Sequence, residues 1–213
     1  MESSLQAPRA FWSTLRARPD GEVPALCGRG GHVLQVAGLR LQTPTTWDRP
    51  LMLAAASDPQ AQRWLGWRPQ DLVPERRRER LLAGKPGQGR PLPQRNEAGG
   101  QSLVAVDPEG GRLAGFLSCD RDTGEIGGCL APGYRGRGLG VSLFAGAAQF
   151  AHQHLGIAAV SAGTEPGNAA CIAALGSAGF IPARGPSTRR LPNGRIIPAL
   201  WFRHDASRPA RCY

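Results

Sequence analysis

Glycine alternates with larger residues over Arg135-Gly136-Arg137-Gly138-Leu139-Gly140. Glycines let a backbone approach a ligand closely, and a helix start exposes N–H groups with no intrahelical partner at the positive end of the helix dipole. Such a stretch at the head of a helix suits an anion, above all a phosphate. Two other phosphate-binding patterns compete with it. A P-loop needs Gly-Lys-Ser/Thr, and the one lysine of the chain, Lys85, precedes Pro86, which excludes it. A dinucleotide fingerprint needs G-x-G-x-x-G on a parallel βαβ unit. Here the last glycine comes one place early, although Glu165 lies about where a ribose-binding acid would sit. In a chain with 29 Gly and 26 Lys plus Arg such spacing alone is cheap, so the elements around it must decide.

Leu139, Leu143, Phe144, Ala147, Phe150, Ala151 and Leu155 recur at helical spacing, giving a helix of about four turns directly after the glycines. Three strands precede it, at 102–106, 112–118 and 124–130, with turns at 108–111 and 120–124. That is an antiparallel meander, not a βαβ unit. A strand at 157–162 follows. Asn168 caps and Gly179 ends a second helix, and strands at 180–191 and 195–202 meet at Pro192-Asn193-Gly194. Upstream, 36–43 reads as a first strand, and Thr46 as the N-cap of a helix through Leu51, Leu53 and Ala55 with Asp48 in its first turn. Residues 60–67 and 74–82 read as short helices, and 84–101 as a long loop of the kind that often serves function. The organisation expected is an extension over 1–35 holding one short helix at 11–18, a domain over 36–205 and a tail over 206–213.

The 213 residues, 41% hydrophobic, can bury a core, which excludes wholesale disorder. The longest apolar run is 51–56, far short of the ~20 residues of a spanning helix, and no secretory signal opens the chain. The expectation is a soluble, cytoplasmic protein. Five cysteines (27, 119, 129, 171, 212) with no C-x-x-C suggest neither a zinc knuckle nor a disulfide framework, and His152 and His154 point to different faces of a helix, so no metal is expected. The net charge of +10 invites a nucleic-acid partner, but 25 of the 26 basic residues are Arg beside abundant Gly, Pro and Ala, as GC-rich coding produces. Residues 96–183 carry four basic against seven acidic residues, a net of −3, whereas 75–95 carry +5 and 184–213 carry +6.

Glu125-Ile126-Gly127, Leu130-Ala131-Pro132, the 135–140 loop, Gly167-Asn168-Ala169-Ala170-Cys171 and Ala178-Gly179-Phe180 together resemble the GNAT N-acetyltransferase superfamily, most closely its Rim-type N-terminal acetyltransferases. The resemblance runs over about 36–203, including Trp64-Leu65-Gly66-Trp67 and the Pro192-Asn193-Gly194 hairpin. It implies an α/β fold: a mixed, mostly antiparallel central sheet flanked by helices, its central strands splayed where CoA binds. It implies transfer of an acetyl group from acetyl-CoA to a primary amine by direct attack in a ternary complex, without metal. Arg135, Gly136, Arg137, Gly138, Leu139 and Gly140 would hold the CoA pyrophosphate. Gly128, Cys129 and Leu130 would pair with the pantetheine arm, the N–H of Leu130 or Cys129 polarising the thioester. Asn168 would line the pantetheine slot besides capping its helix. Glu125 is the expected base, with a water chain as its rival. The tyrosine many relatives place near the end of the second helix as acid is replaced by Leu175. Cys171, standing where Rim-type members often carry Ser, takes the acid role or packs. Trp64 and Trp67 would wall the acceptor pocket or pack in the core.

The expected acceptor is the N-terminal amine of a peptide or protein. A small-molecule or natural-product amine is the alternative, and a non-catalytic acyl-CoA- or nucleic-acid-binding module is the alternative of another class. No membrane partner is expected, a nucleic-acid partner is disfavoured, and a homodimer is left open. The Arg76-Arg77-Arg78-Glu79-Arg80 run reads as a solvated helix face, with contact to an acidic partner as its functional alternative.

Overall fold

The computed structural model describes residues 31–92 and 100–206. Five strands form one antiparallel sheet in chain order: β1 (Val33–Val36), β2 (Leu39–Gln42), β3 (Gly100–Val106), β4 (Leu113–Asp120) and β5 (Ile126–Leu130). The sheet takes in Val33, three residues before the boundary expected at 36, and the first strand is a hairpin. Gly38, at φ +71, supplies the left-handed turn that splits it. The extension helix at 11–18, residues 93–99 of the long loop and residues 207–213 of the tail lie outside the described residues.

Both faces of this sheet are covered, so β4 is buried along nearly its whole length. On one face lie α1 (Asp48–Ala56), α2 (Pro59–Leu65) and α3 (Glu75–Leu82), closing a core of Met52, Val104, Val106 and Phe116. On the other lies α4 (Leu139–Gln149), which runs into a π turn, Phe150–His154, and buries Leu143, Ala147 and Phe150 against Leu41, Leu103 and Leu117. A second sheet, β6 (Ala159–Thr164), β10 (Leu200–Asp205) and β7 (Ile181–Ala183) in that order, carries α5 (Ala169–Ser177). Among the described residues no helix is long and apolar enough to cross a membrane.

Several local expectations change in physical detail. Thr46 does not cap α1; Trp47 holds that position with no side-chain cap. Buried Asp48 takes over, accepting from Thr45 N at 2.7 Å, Thr45 Oγ1 at 2.9 Å and Gly87 N at 2.7 Å. It thereby pins the start of the long loop. The two final strands each break in two, the first across Gly185-Pro186 and the second just after Pro198, since proline donates no ladder bond. The pieces next to the turn form a separate hairpin of β8 (Thr188–Arg190) and β9 (Ile196–Pro198). Its Asn193-Gly194 turn forms as expected, with Gly194 at φ +91, and Asn193 N bonds Gly66 O at 2.7 Å. In α3, Arg78 folds back onto Glu75 and Ser57.

The π turn separates His152 and His154, and each finds another histidine. His152 donates Nδ1–H to Ile157 O at 2.6 Å, so in its neutral form Nε2 accepts from His204 Nδ1 at 3.0 Å. His32 Nδ1 lies 3.2 Å from His154 Nδ1. Burial first, then the neighbouring His154 and Arg121 charges, push His32 down from 6.5 to about 4. The unfolded chain therefore binds more protons than the fold between these values, and stability falls as pH drops from about 6.5 to about 4. After allowance for solvent screening of a half-exposed group, a loss of about 1–2 kcal/mol is expected. Chemical denaturation at pH 7 and pH 4.5 checks it; His32→Gln should shrink the difference, and an unchanged difference would refute the assignment to His32.

Candidate active site

The two sheets meet at one point. Ser161 N donates to Gly124 O at 2.9 Å within an isolated parallel bridge between Glu125 and Ser161, after which β5 and β6 part. The cleft between them is a cavity of about 380 Å³ whose walls also include Trp64, Phe144, Asn168 and the β8–β9 hairpin.

The antiparallel ladder decides which backbone groups face this cleft. Asp120 N donates to Glu125 O at 2.8 Å and Ala131 N to Ala114 O at 2.8 Å. Alternation then turns the N–H groups of Gly127 and Cys129 toward β4, and those of Gly128 and Leu130 toward the gap. Leu130 thus remains a candidate donor, Gly128 joins it, and Cys129 does not. The Cys129 side chain is turned away as well. Its Sγ lies 4.0 Å from Ala55 O, and burial pushes the thiol up to about 11. A Cβ on Gly128 would lie 2.7 Å from Phe116 O, so the close strand approach depends on glycine there.

The loop after β5 divides its two arginines between different tasks. Arg135 does not point outward to a phosphate. Its Nη2 and Nη1 bind Asp58 Oδ2 and Oδ1 at 2.6 and 2.8 Å, and its Nε donates to Leu130 O at 2.9 Å. Asp58 is also the N-cap of α2, accepting from Gln60 N and Ala61 N. Burial works against the Asp58 carboxylate, but the bonds from Arg135, Ala61 and Gln60 hold it below the usual carboxylate range. Arg137 is exposed, its guanidinium 5.4 Å from the Tyr134 ring. Gly136 and Gly138 have φ of +74 and +75, with open space where a side chain would project. Gly138 caps α4 without any side-chain bond; Val141 N turns back to Gly138 O at 3.1 Å, and the N–H groups of Leu139 and Gly140 have no capping side chain. Gly140 serves packing: a Cβ there would lie 3.1 Å from that of Ala174.

Asn168 caps α5, its Oδ1 accepting from Cys171 N at 3.3 Å, and both residues line the cavity. Burial raises the Cys171 thiol, partly offset by a hydrogen bond with Thr164, so it keeps its proton and yields it less readily. Glu125 lies at the apex of the cleft, its Oε1 2.9 Å from Arg189 Nη1, while the same nitrogen reaches Gly163 O at 3.2 Å. Trp64 and Trp67 do not share a helix, since α2 ends at Gly66 in the left-handed conformation. Trp67 is buried with its ring 6.4 Å from that of Phe116, which assigns it to the core at the cavity floor. Trp64, partly buried beneath the Arg63 guanidinium at 4.6 Å, lines the cavity.

Sequence reading missed Arg189, Asp58 and the hairpin as a cavity wall. The Asn193-Gly194 signal placed the turn, but nothing local says that the hairpin brings Arg189 to Glu125 and Gly163. Among the described residues no group of three metal-capable side chains occurs, and Cys119, Cys129 and Cys171 are free thiols.

Residues 38–181 match the family model described as an acetyltransferase (GNAT) domain. No curated protein matches the chain. Among solved structures, a GNAT-family acetyltransferase from Bacillus anthracis aligns at 12% identity and TM-score 0.59, over 81% of this chain and 98% of its own. Spermidine N-acetyltransferase from Vibrio cholerae, solved with CoA and spermine, aligns at 14% identity and TM-score 0.59, over 79% and 96%. Ribosomal-protein-S5-alanine acetyltransferase from Vibrio fischeri aligns at 14% identity and TM-score 0.57, over 81% and 96%. At these identities the likeness is one of fold.

Proposed function

Because the chain belongs to the GNAT acetyltransferase family, we propose that it acetylates the N-terminal amine of a peptide or protein from acetyl-CoA, in the manner of the Rim-type enzymes. The observation that carries this reading is the unpaired edge of β5, which leads from a glycine-rich helix start to an acidic cavity. The residues present fit CoA. Gly136 and Gly138 leave room at the head of α4, exposed Arg137 adds positive charge there, and an extended arm would pair with the β5 edge at Gly128 and Leu130. When bound, the thioester supplies an activated acetyl carbon.

The chain's own groups then act on the two sides of that carbon. Of the Gly128 and Leu130 N–H groups, about 7 Å apart along the strand, one polarises the carbonyl and the other pairs with the arm. Glu125 takes a proton from the acceptor ammonium, freeing the lone pair of the amine that attacks, with Arg189 fixing the carboxylate through Oε1. Asn168 holds the wall of the slot, and Cys171 packs there, since its raised pKa makes it a poor match for protonating the leaving sulfur. Trp64 shapes the acceptor's entrance. A small-molecule amine is the second reading, favoured by three carboxylates, Asp120, Glu125 and Glu165, lining one cavity.

Acetyl-CoA at 100 times its Kd should stabilise the fold by about 2.7 kcal/mol, a Tm rise of roughly 5–11 °C. No shift would contradict the donor site. Turnover should then be seen with a peptide bearing a free N-terminus and vanish when that terminus is blocked. Turnover of spermidine alone would favour the second reading. Glu125→Gln should lower kcat and flatten its dependence on pH, whereas an unchanged profile removes Glu125 as base.

A further inference from the structure

Positive charge gathers where the β8–β9 hairpin docks on the end of α2. Asn193 N donates to Gly66 O at 2.7 Å, and a Cβ on Gly66 would lie 2.7 Å from Leu191 Cδ1, so the hairpin turn sits on the residue that ends the helix. Three arginines meet there. Arg195 Nη1 donates to Arg63 O at 3.2 Å, 132 residues away, and Arg190 Nη1 donates to Gly194 O at 3.3 Å. The Arg63 guanidinium lies over the Trp64 ring at 4.6 Å. All three residues are exposed.

Carbonyls and a ring orient a guanidinium without cancelling its charge. Among the described residues none of the three forms an ion pair, whereas Arg189, next to Arg190, is engaged by Glu125. Like charges held close together repel, and an anion placed among them relieves the repulsion. Their neighbours fix where such an anion would lie. Trp64 and Leu65, which follow Arg63, line the cavity, as do Arg190 and Leu191, and Leu191 N bonds Arg195 O at 2.7 Å. Exposed cations beside wall residues make a basic rim.

We propose that Arg63, Arg190 and Arg195 dock the acidic segment that follows the amine of the acceptor peptide. A peptide whose terminal amine reaches Glu125 carries its next residues across this rim, where guanidinium forks match carboxylates. The same rim repels a polycation, so it separates an acidic protein N-terminus from a polyamine. This role rests on the peptide acetylation proposed above and gives its acceptor a charge class.

The test uses the full chain and hexapeptides that share a free N-terminal alanine, followed by either glutamates or lysines. At low ionic strength kcat/KM should favour the acidic peptide by roughly 10-fold or more, and about 0.5 M salt should erase most of the preference. Arg190→Gln combined with Arg195→Gln should raise KM for the acidic peptide roughly 3- to 10-fold and lower it for the basic one, a reversal that lost packing would not produce. Equal kcat/KM for the two peptides, or a KM that rises for both in the double variant, overturns the rim alone. Salt-sensitive binding of a polyuridylate RNA that the double variant abolishes, with no preference between the peptides, overturns it in favour of a nucleic-acid surface. A wild-type protein that binds acetyl-CoA but acetylates neither peptide, or acetylates only spermidine, overturns the peptide reading and the rim with it.

Discussion

Asp58→Ala will lower Tm by roughly 6–12 °C and weaken acetyl-CoA binding, although Asp58 lies 77 residues from the arginine it holds. The Asp58 and Arg135 side chains are only 9% and 20% exposed. Removing the carboxylate strands a guanidinium beneath α1 and α2 and leaves Gln60 N and Ala61 N without their cap. Breaking a largely buried pair in this way costs about 3 kcal/mol. The 135–140 loop then loses its anchor, because Arg135 Nε also fixes the Leu130 carbonyl at the end of β5. Arg137→Gln supplies the contrast. Its side chain is exposed and only stacks on Tyr134, so Tm should hardly move while acetyl-CoA affinity falls. Thermal melts and calorimetry on the two variants separate the anchoring arginine from the exposed one. Equal effects of both variants on Tm would contradict that division.

Gly138→Val should cost far more in binding than in stability. The residue sits at φ +75, where an L side chain is strained by about 1–2 kcal/mol, so Tm should fall by roughly 2–8 °C. No atom lies within 4 Å of the position the new Cβ would take, so nothing in the free protein clashes. The branched side chain would instead occupy the approach to the first N–H groups of α4, where a pyrophosphate would sit. Loss of one or two charge-assisted bonds lowers acetyl-CoA affinity roughly 100-fold. Gly140→Val should behave in reverse, since its side chain meets Ala174 and pushes α4 from α5. A Gly138→Val protein with unaltered acetyl-CoA affinity would remove the loop from the donor site.

What could be read from the residues was local. Asn168 caps and Gly179 stops α5 because capping and left-handed glycine act within three or four residues. Asn193-Gly194 forms its turn for the same reason. The meander, the glycine loop and the long helix occur in the order their spacing demands, and that order is what marks the family. Where local signals competed, as between Thr46 and Asp48 or along the proline-interrupted end of the chain, element boundaries shifted. Val36 likewise became the end of a hairpin strand and not the start of a single one.

Side-chain roles followed a different rule, because they depend on partners that the sheet order brings from far away. Arg135 and Arg137 are neighbours in one motif, yet only Arg135 has Asp58 within reach. Trp64 and Trp67 differ because Gly66 ends α2 between them and turns one ring under Phe116. Cys129 points away from the cleft because the β4–β5 register fixes the direction of alternate residues. Glu125 and Glu165 are equally plain carboxylates in the sequence; one meets Arg189, whereas Oε2 of the other has no hydrogen-bond partner among the described residues. Sequence alone therefore determined the family, the order of the main elements and the glycine-rich turn at the head of α4, all encoded in short-range backbone preferences. Only the tertiary structure decided which side chains face the cleft, because strand register and the place of the β8–β9 hairpin in the cavity wall arise from contacts between distant segments.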